Sequence, residues 1–207
     1  MEIDERAIWN QKFSEKSHAS LEPDPFLVSA YDELLSGLPA GTALDVAGGA
    51  GRHSIWLAQR GWHARLLDIS DVGIGLAERN ASRSLGPIRK EFLIHAEVAD
   101  LNRMQSFGVE QYDLVLVFFY LQRELFPALI SALKPGGFLL YKTYTTDQQN
   151  LSDGPHNPVF LLKPNELLHA FQSLRALHYH ETAQNKATAE LVAQKPKRSS
   201  ETNSLPT

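Results

Sequence analysis

Thr42-Ala43-Leu44-Asp45-Val46-Ala47-Gly48-Gly49-Ala50-Gly51-Arg52-His53 runs from a short apolar stretch through a carboxylate into a glycine-rich turn, and an amphipathic segment opens near Ser54. That order reads as a strand, a tight loop and a helix N-terminus. Glycines let backbone N–H groups approach a ligand closely, and the helix end that follows favours anionic groups. The next apolar run, His63-Ala64-Arg65-Leu66-Leu67-Asp68, closes on a second carboxylate. An acid at that distance grips ribose hydroxyls in nucleotide-binding βαβ units. Asp45, Gly48, Gly49, Gly51 and Asp68 are therefore candidate residues for an adenosine-containing ligand.

Working outward, short apolar runs alternate with amphipathic stretches. Strands are expected at residues 43–46, 64–69, 91–97, 112–119 and 138–144, and helices at 29–36, 54–59, 72–84 and 123–133. Leu114-Val115-Leu116-Val117-Phe118-Phe119 is apolar at successive positions, as a strand covered on both faces requires. The alternation argues for an open, doubly wound α/β sheet. After Thr145 the pattern changes. Residues 146–158 are polar, with Gly154, Pro155 and Pro158, and read as a loop. A helix is expected over 165–172, then two strands at 176–182 and 187–193. The connection Ala183-Gln184-Asn185-Lys186 is short enough to permit only antiparallel pairing. Residues 1–194 are read as one domain with residues 1–38 as an N-terminal helical lid segment, and 195–207 as a polar tail without fixed structure.

Composition bounds the function. A chain of 207 residues with 43% hydrophobic and 21% charged residues is ordinary for one globular domain. A net charge of -4 gives no general attraction to nucleic acid. The absence of cysteine excludes disulfides, thiolate zinc sites and a cysteine nucleophile. The longest apolar run, Leu114 to Leu121, is far below the ~20 residues a membrane-spanning helix needs. Met1-Glu2-Ile3-Asp4-Glu5-Arg6 has no signal-peptide apolar core, so a cytoplasmic location is expected. His178 and His180 share one strand face, but nothing completes a metal site around them, and no metal is expected.

Two nucleotide classes use this architecture. A dinucleotide fingerprint places a third glycine where Ser54 stands, and a phosphate loop would need Gly-Lys-Ser/Thr after the glycines. As a set, residues 40–193 resemble the class I S-adenosylmethionine-dependent methyltransferases. The resemblance rests on Asp45 ahead of the glycine loop, Asp68-Ile69-Ser70 at the second strand end, Asp100-Leu101 after the third, and Tyr112-Asp113-Leu114-Val115 with Phe118 to Tyr120. It continues through Leu133-Lys134-Pro135-Gly136-Gly137 and the late antiparallel pair. It departs at Ala47, where the family more often has glycine. Trp9-Asn10-Gln11-Lys12-Phe13 is similar to the opening segment of the tellurite-resistance and thiopurine-type small-molecule branch.

The resemblance implies a mostly parallel seven-stranded sheet with an antiparallel last strand, and S-adenosyl-L-methionine as cofactor. Its implied contacts are Asp45, Ala47, Gly48, Gly49, Gly51, Asp68, Ile69, Ser70, Asp100, Leu101 and Phe118, with Trp9 as part of a lid. Tyr120, Tyr144 and His156 are candidates for the substrate pocket, His156 as a base for an O- or N-acceptor. The acceptor would be a small thiol, metalloid oxyanion or other nucleophile. A nicotinamide-dependent oxidoreductase and a non-catalytic cofactor-binding module of the same fold are the alternatives. The first is opposed by Ser54 and by the lack of a Tyr-x-x-x-Lys pair after the central strands.

Overall fold

The computed structural model describes residues 4–15 and 20–198. Seven strands form one sheet: β1 (Thr42–Val46), β2 (His63–Asp68), β3 (Ile94–Val98), β4 (Tyr112–Phe118), β5 (Leu133–Tyr144), β6 (Arg175–Thr182) and β7 (Thr188–Gln194). Their order is β3-β2-β1-β4-β5-β7-β6. The pairs from β3 through β5 are parallel, and β7 inserts antiparallel between β5 and β6. This is the doubly wound, mostly parallel sheet the sequence predicts.

Seven helices accompany it among the described residues: α1 (Glu5–Ser14), α2 (Pro25–Ala30), α3 (Arg52–Gln59), α4 (Asp71–Leu85), α5 (Pro87–Leu93), α6 (Phe126–Ala132) and α7 (Glu166–Ala170). None is long and apolar enough to cross a membrane. Leu114 and Leu116 of β4 pack with Leu27, Trp56, Leu57 and Trp62, while Val115 and Val117 pack with Leu129, Leu139 and Leu167. Successive strand residues point to opposite faces, so an unbroken apolar run is what a sheet covered on both sides needs. Each fully buried leucine contributes about 1.5–3 kcal/mol to holding the layers together.

Several boundaries differ from the sequence reading. Residues 91–93, expected in a strand, end α5 instead, because Gly86-Pro87 starts a second short helix after α4. The helix expected over 29–36 begins earlier, at Pro25, capped by the Asp24 side chain, and continues as a wider π turn over Tyr31–Leu35. β5 reaches back to Leu133, taking the end of the helix expected over 123–133. Lys195 is not loose: its amide donates to Gly137 and its ammonium to the carbonyls of Ile130 and Leu133. Arg198 pairs with Glu110, and the rest of the expected tail, 199–207, lies outside the described residues.

Candidate functional site

The glycine loop joins β1 to α3 with Ala47, Gly49 and Gly51 all left-handed, at φ of 56°, 55° and 84°. Glycine adopts this region freely, whereas alanine at Ala47 carries a cost of about 1 kcal/mol, which is the physical content of the departure from the family pattern. The Gly48 amide donates to Leu67, tying the loop to β2. Asp45 is 1% exposed and accepts a hydrogen bond of 2.7 Å from the Ser54 hydroxyl. A Cβ on Gly48 would stand 2.8 Å from its carboxylate. Asp45 is thus turned into the loop and braces it against α3. Ser54 is thereby explained as its partner.

Burial pushes the Asp45 carboxyl up to about 6, opposed by the Ser54 hydrogen bonds and by the charge of Arg52. The folded protein therefore binds this proton more tightly than the unfolded chain, and the site loses stability as pH rises from about 4 to about 6. The gap corresponds to roughly 3 kcal/mol. Asp45→Asn should remove this dependence. Urea unfolding of both proteins at pH 4 and pH 7 should show the variant gaining on the wild type by an amount of that order; parallel behaviour would show that Asp45 does not titrate in this range.

Asp68, 6% exposed, closes β2 beside the loop. One carboxylate oxygen accepts from the Gly49 amide at 2.8 Å and the other from the Ser70 amide at 2.9 Å. Burial raises its affinity for a proton, and the amides of Ser70, Gly49 and Ile69 oppose that. A carboxylate offers about four lone-pair directions, so Asp68 retains acceptor capacity for a pair of hydroxyl donors. Ser70 caps α4 by accepting from the Gly73 amide. The Tyr120 hydroxyl donates to Gln122. Burial pushes that hydroxyl's proton affinity up, and the charges of Glu5, Asp100, Asp68 and Glu124 push it further. Asp68, Asp100 and Glu124 follow the C-terminal ends of β2, β3 and β4, and negative charge gathered at that edge favours a cationic ligand. Asp100 also caps its own turn through the Asn102 amide and pairs with Arg103.

Helix α1 lies across the edge formed by the ends of β2 and β3, and the space it covers is the candidate cleft. Asn10 donates to Asp71 at 2.8 Å and accepts from the Ser70 hydroxyl at 2.6 Å, and Asn102 donates to Glu5 at 3.0 Å. Phe13, 5% exposed, sits against the loop: a Cβ on Gly49 would stand 2.7 Å from its ring, and one on Gly73 2.9 Å. Both glycines are thus required by the aromatic ring pressed on them. Phe13 is the one buried residue of α1, so polar latches rather than a buried face hold the helix. An element held this way opens at low cost. Trp9 is half-buried and tilted against Phe13, with the rings 6.1 Å apart.

Other expected site residues are not brought into the cleft. Phe118 packs beneath it, its ring 4.2 Å from that of His53 and 6.0 Å from Phe26, and Leu101 is part of the core. Strand alternation sends Phe118 toward α2 and α3, leaving the edge to Phe119 and Tyr120. His156 is exposed and bonded to the Leu151 carbonyl of its own loop, so nothing positions it as a base. Tyr144 does reach the edge, with its ring 5.2 Å from Phe119. Glu5 and Asn10 are not singled out by the sequence reading, whereas Phe13 is, as the helical neighbour of Trp9. Asp4 capping α1 and the four-residue spacing of Trp9 and Phe13 were the available signals.

Residues 43–137 match the family model described as a methyltransferase domain. Over that segment, a little under half of the chain, the sequence is similar to methyltransferase domains. No curated protein matches the sequence. Magnesium protoporphyrin IX methyltransferase (ChlM) from Synechocystis PCC 6803, solved with bound S-adenosylhomocysteine, is similar in structure. The TM-score is 0.69 at 17% identity, covering 92% of this chain and 97% of that one. TehB from Haemophilus influenzae gives 0.68 at 18% identity, covering 90% and 67%. The [4+2]-cyclase SpnF gives 0.65 at 14%, covering 83% and 80%. At these identities the structural likeness establishes the fold.

The residues present fit the cofactor of this domain class. Asp68 keeps acceptor capacity beside a loop that admits close approach, and the acids about Tyr120 suit a sulfonium.

Proposed function

We propose that the protein transfers a methyl group from S-adenosylmethionine, held beneath α1, to a small-molecule acceptor that enters over the ends of β4 and β5. The observation that carries this reading is Asp68, fixed by the Gly49 and Ser70 amides with lone pairs to spare. The cofactor supplies a methyl group already activated by a sulfonium leaving group. Asp68 and Ser70 would orient the ribose, Gly48, Gly49 and Gly51 would admit the amino-acid portion, and Ile69 and Asp100 would border the adenine. Tyr120 and the surrounding acids would stabilise positive charge. Alignment of nucleophile, methyl and sulfur then accounts for most of the barrier reduction, up to about 7–11 kcal/mol. A thiol acceptor needs no base beyond this, in keeping with the exposed, self-bonded His156.

The Trp9–Phe13 opening helix and the likeness to TehB support a place in the small-molecule branch, with a cytoplasmic setting as part of the proposal. Incubation with S-adenosylmethionine and a panel of small thiols, phenols and amines should release S-adenosylhomocysteine. Titration should give heat with S-adenosylmethionine and none with NAD. Tight NAD binding without a response to S-adenosylmethionine would overturn the assignment in favour of hydride transfer. Cofactor binding without product across the panel would favour a non-catalytic module.

A further inference from the structure

Next to the acidic cleft, the same edge of the sheet carries a basic one. Phe119 follows β4 with φ of 57°, and three cations converge on its ring. The guanidinium of Arg52 lies 5.8 Å from the ring centre, the ammonium of Lys186 5.6 Å and that of Lys142 5.7 Å. They come from three places: Arg52 directly after Gly51, Lys142 near the end of β5, and Lys186 in the turn between β6 and β7. Lys142 is neutralised by Asp24 and Glu190 at 2.8 and 2.9 Å. Arg52 and Lys186 have no carboxylate within ion-pair distance among the described residues, and the Tyr144 hydroxyl beside them has no hydrogen-bond partner there either.

Attraction to an aromatic face near the ~6 Å limit is weak and does not offset bringing like charges together. An anion between them does. The charges are also segregated: Asp68, Asp100 and Glu5 lie on the β2–β3 side of the glycine loop, and Arg52 and Lys186 on the β4–β7 side, where the acceptor must enter.

We propose that the methyl acceptor carries an anionic oxyacid group, carboxylate or phosphate, held by Arg52 and Lys186 over the ring of Phe119. This rests on the methyl-transfer reading above. A guanidinium matches either group through two parallel N–H···O bonds, and Tyr144 can donate a third. The arrangement fixes the acceptor's far end and leaves its nucleophile free to face the sulfonium.

The test is calorimetric titration of the full chain saturated with S-adenosylhomocysteine, using benzoate, phenylphosphonate and neutral benzamide as probes. At least one acid should bind about tenfold or more tightly than benzamide, and which one does so identifies the oxyacid. Arg52→Gln and Lys186→Gln should each lose about tenfold in affinity for that acid while affinity for S-adenosylhomocysteine changes less than about twofold. Equal binding of acids and amide, or no acid binding up to about 10 mM, would overturn the proposal and leave the cofactor reading intact. So would an Arg52→Gln loss of S-adenosylhomocysteine affinity equal to its loss of acid affinity, since the guanidinium would then serve the cofactor's own carboxylate. Failure of the wild-type protein to bind S-adenosylhomocysteine would remove the underlying reading and this inference together.

Discussion

Asp68→Ala is expected to weaken S-adenosylhomocysteine binding by a factor on the order of a hundred to ten thousand. Each hydrogen bond to a charged group is worth about 1.5–3 kcal/mol, and the ribose offers two hydroxyls to this carboxylate. The substitution also releases the amides of Gly49 and Ser70 that the carboxylate now satisfies, so part of the loss comes through a looser loop. Asp68→Asn separates the contributions. It preserves shape and one acceptor, and should retain affinity between that of wild type and alanine. Calorimetry supplies the affinities, and circular dichroism checks that the sheet is intact. An alanine variant that binds as tightly as wild type would remove Asp68 from the ribose role.

Lys142→Met should cost about 3–5 kcal/mol of folding stability, the largest stability effect expected. Lys142 has a side chain 15% exposed and lies between Asp24 and Glu190, whose side chains are 7% and 19% exposed. Methionine keeps the volume but leaves two acids facing each other with no cation. Asp24 also caps α2 through the Phe26 amide, and its own amide donates to His53, which burial keeps neutral. The ion triad therefore ties α2 to β5 and β7 and secures the first turn of α3, on which the glycine loop rests. For a chain of this size the melting temperature should fall by about 10 °C or more. Adding Asp24→Asn and Glu190→Gln to Lys142→Met should recover much of the loss, because neutral groups of the same shape carry little desolvation cost. A loss below about 1 kcal/mol in urea unfolding would show that the triad is solvated and unimportant.

The parts of this structure legible in the sequence were those set by local pattern. The unbroken apolar run of β4, the loop at Gly48 to Gly51, the acid closing β2 and the short turn before β7 each follow from neighbours within a few positions. Contacts between distant residues were not. Asn10 meets Ser70, and Phe13 meets Gly49 and Gly73, across separations that no periodicity encodes, so the covering helix showed only as an aromatic pair. Asp45 was legible as a site residue because its position matches a motif. Its direction is set by Ser54, and the same serine that spoiled the dinucleotide fingerprint turns the carboxylate inward. Phe118 was assigned to the site from its place at a strand end, although strand alternation sends its ring into the layer beneath. The α2 boundary was readable and missed: Asp24-Pro25 is a capping residue followed by a proline in the first turn.

The central claim is that the cleft bounded by Gly49, Asp68 and Tyr120 under α1 holds S-adenosylmethionine. A crystal structure of the protein grown with S-adenosylhomocysteine tests it most directly. Density should show both ribose hydroxyls on the Asp68 carboxylate, the sulfur beside Tyr120, and Phe13 displaced or repacked around the nucleoside. A nucleoside bound elsewhere, with the Phe13 ring still pressed on Gly49 and Gly73, would contradict the account.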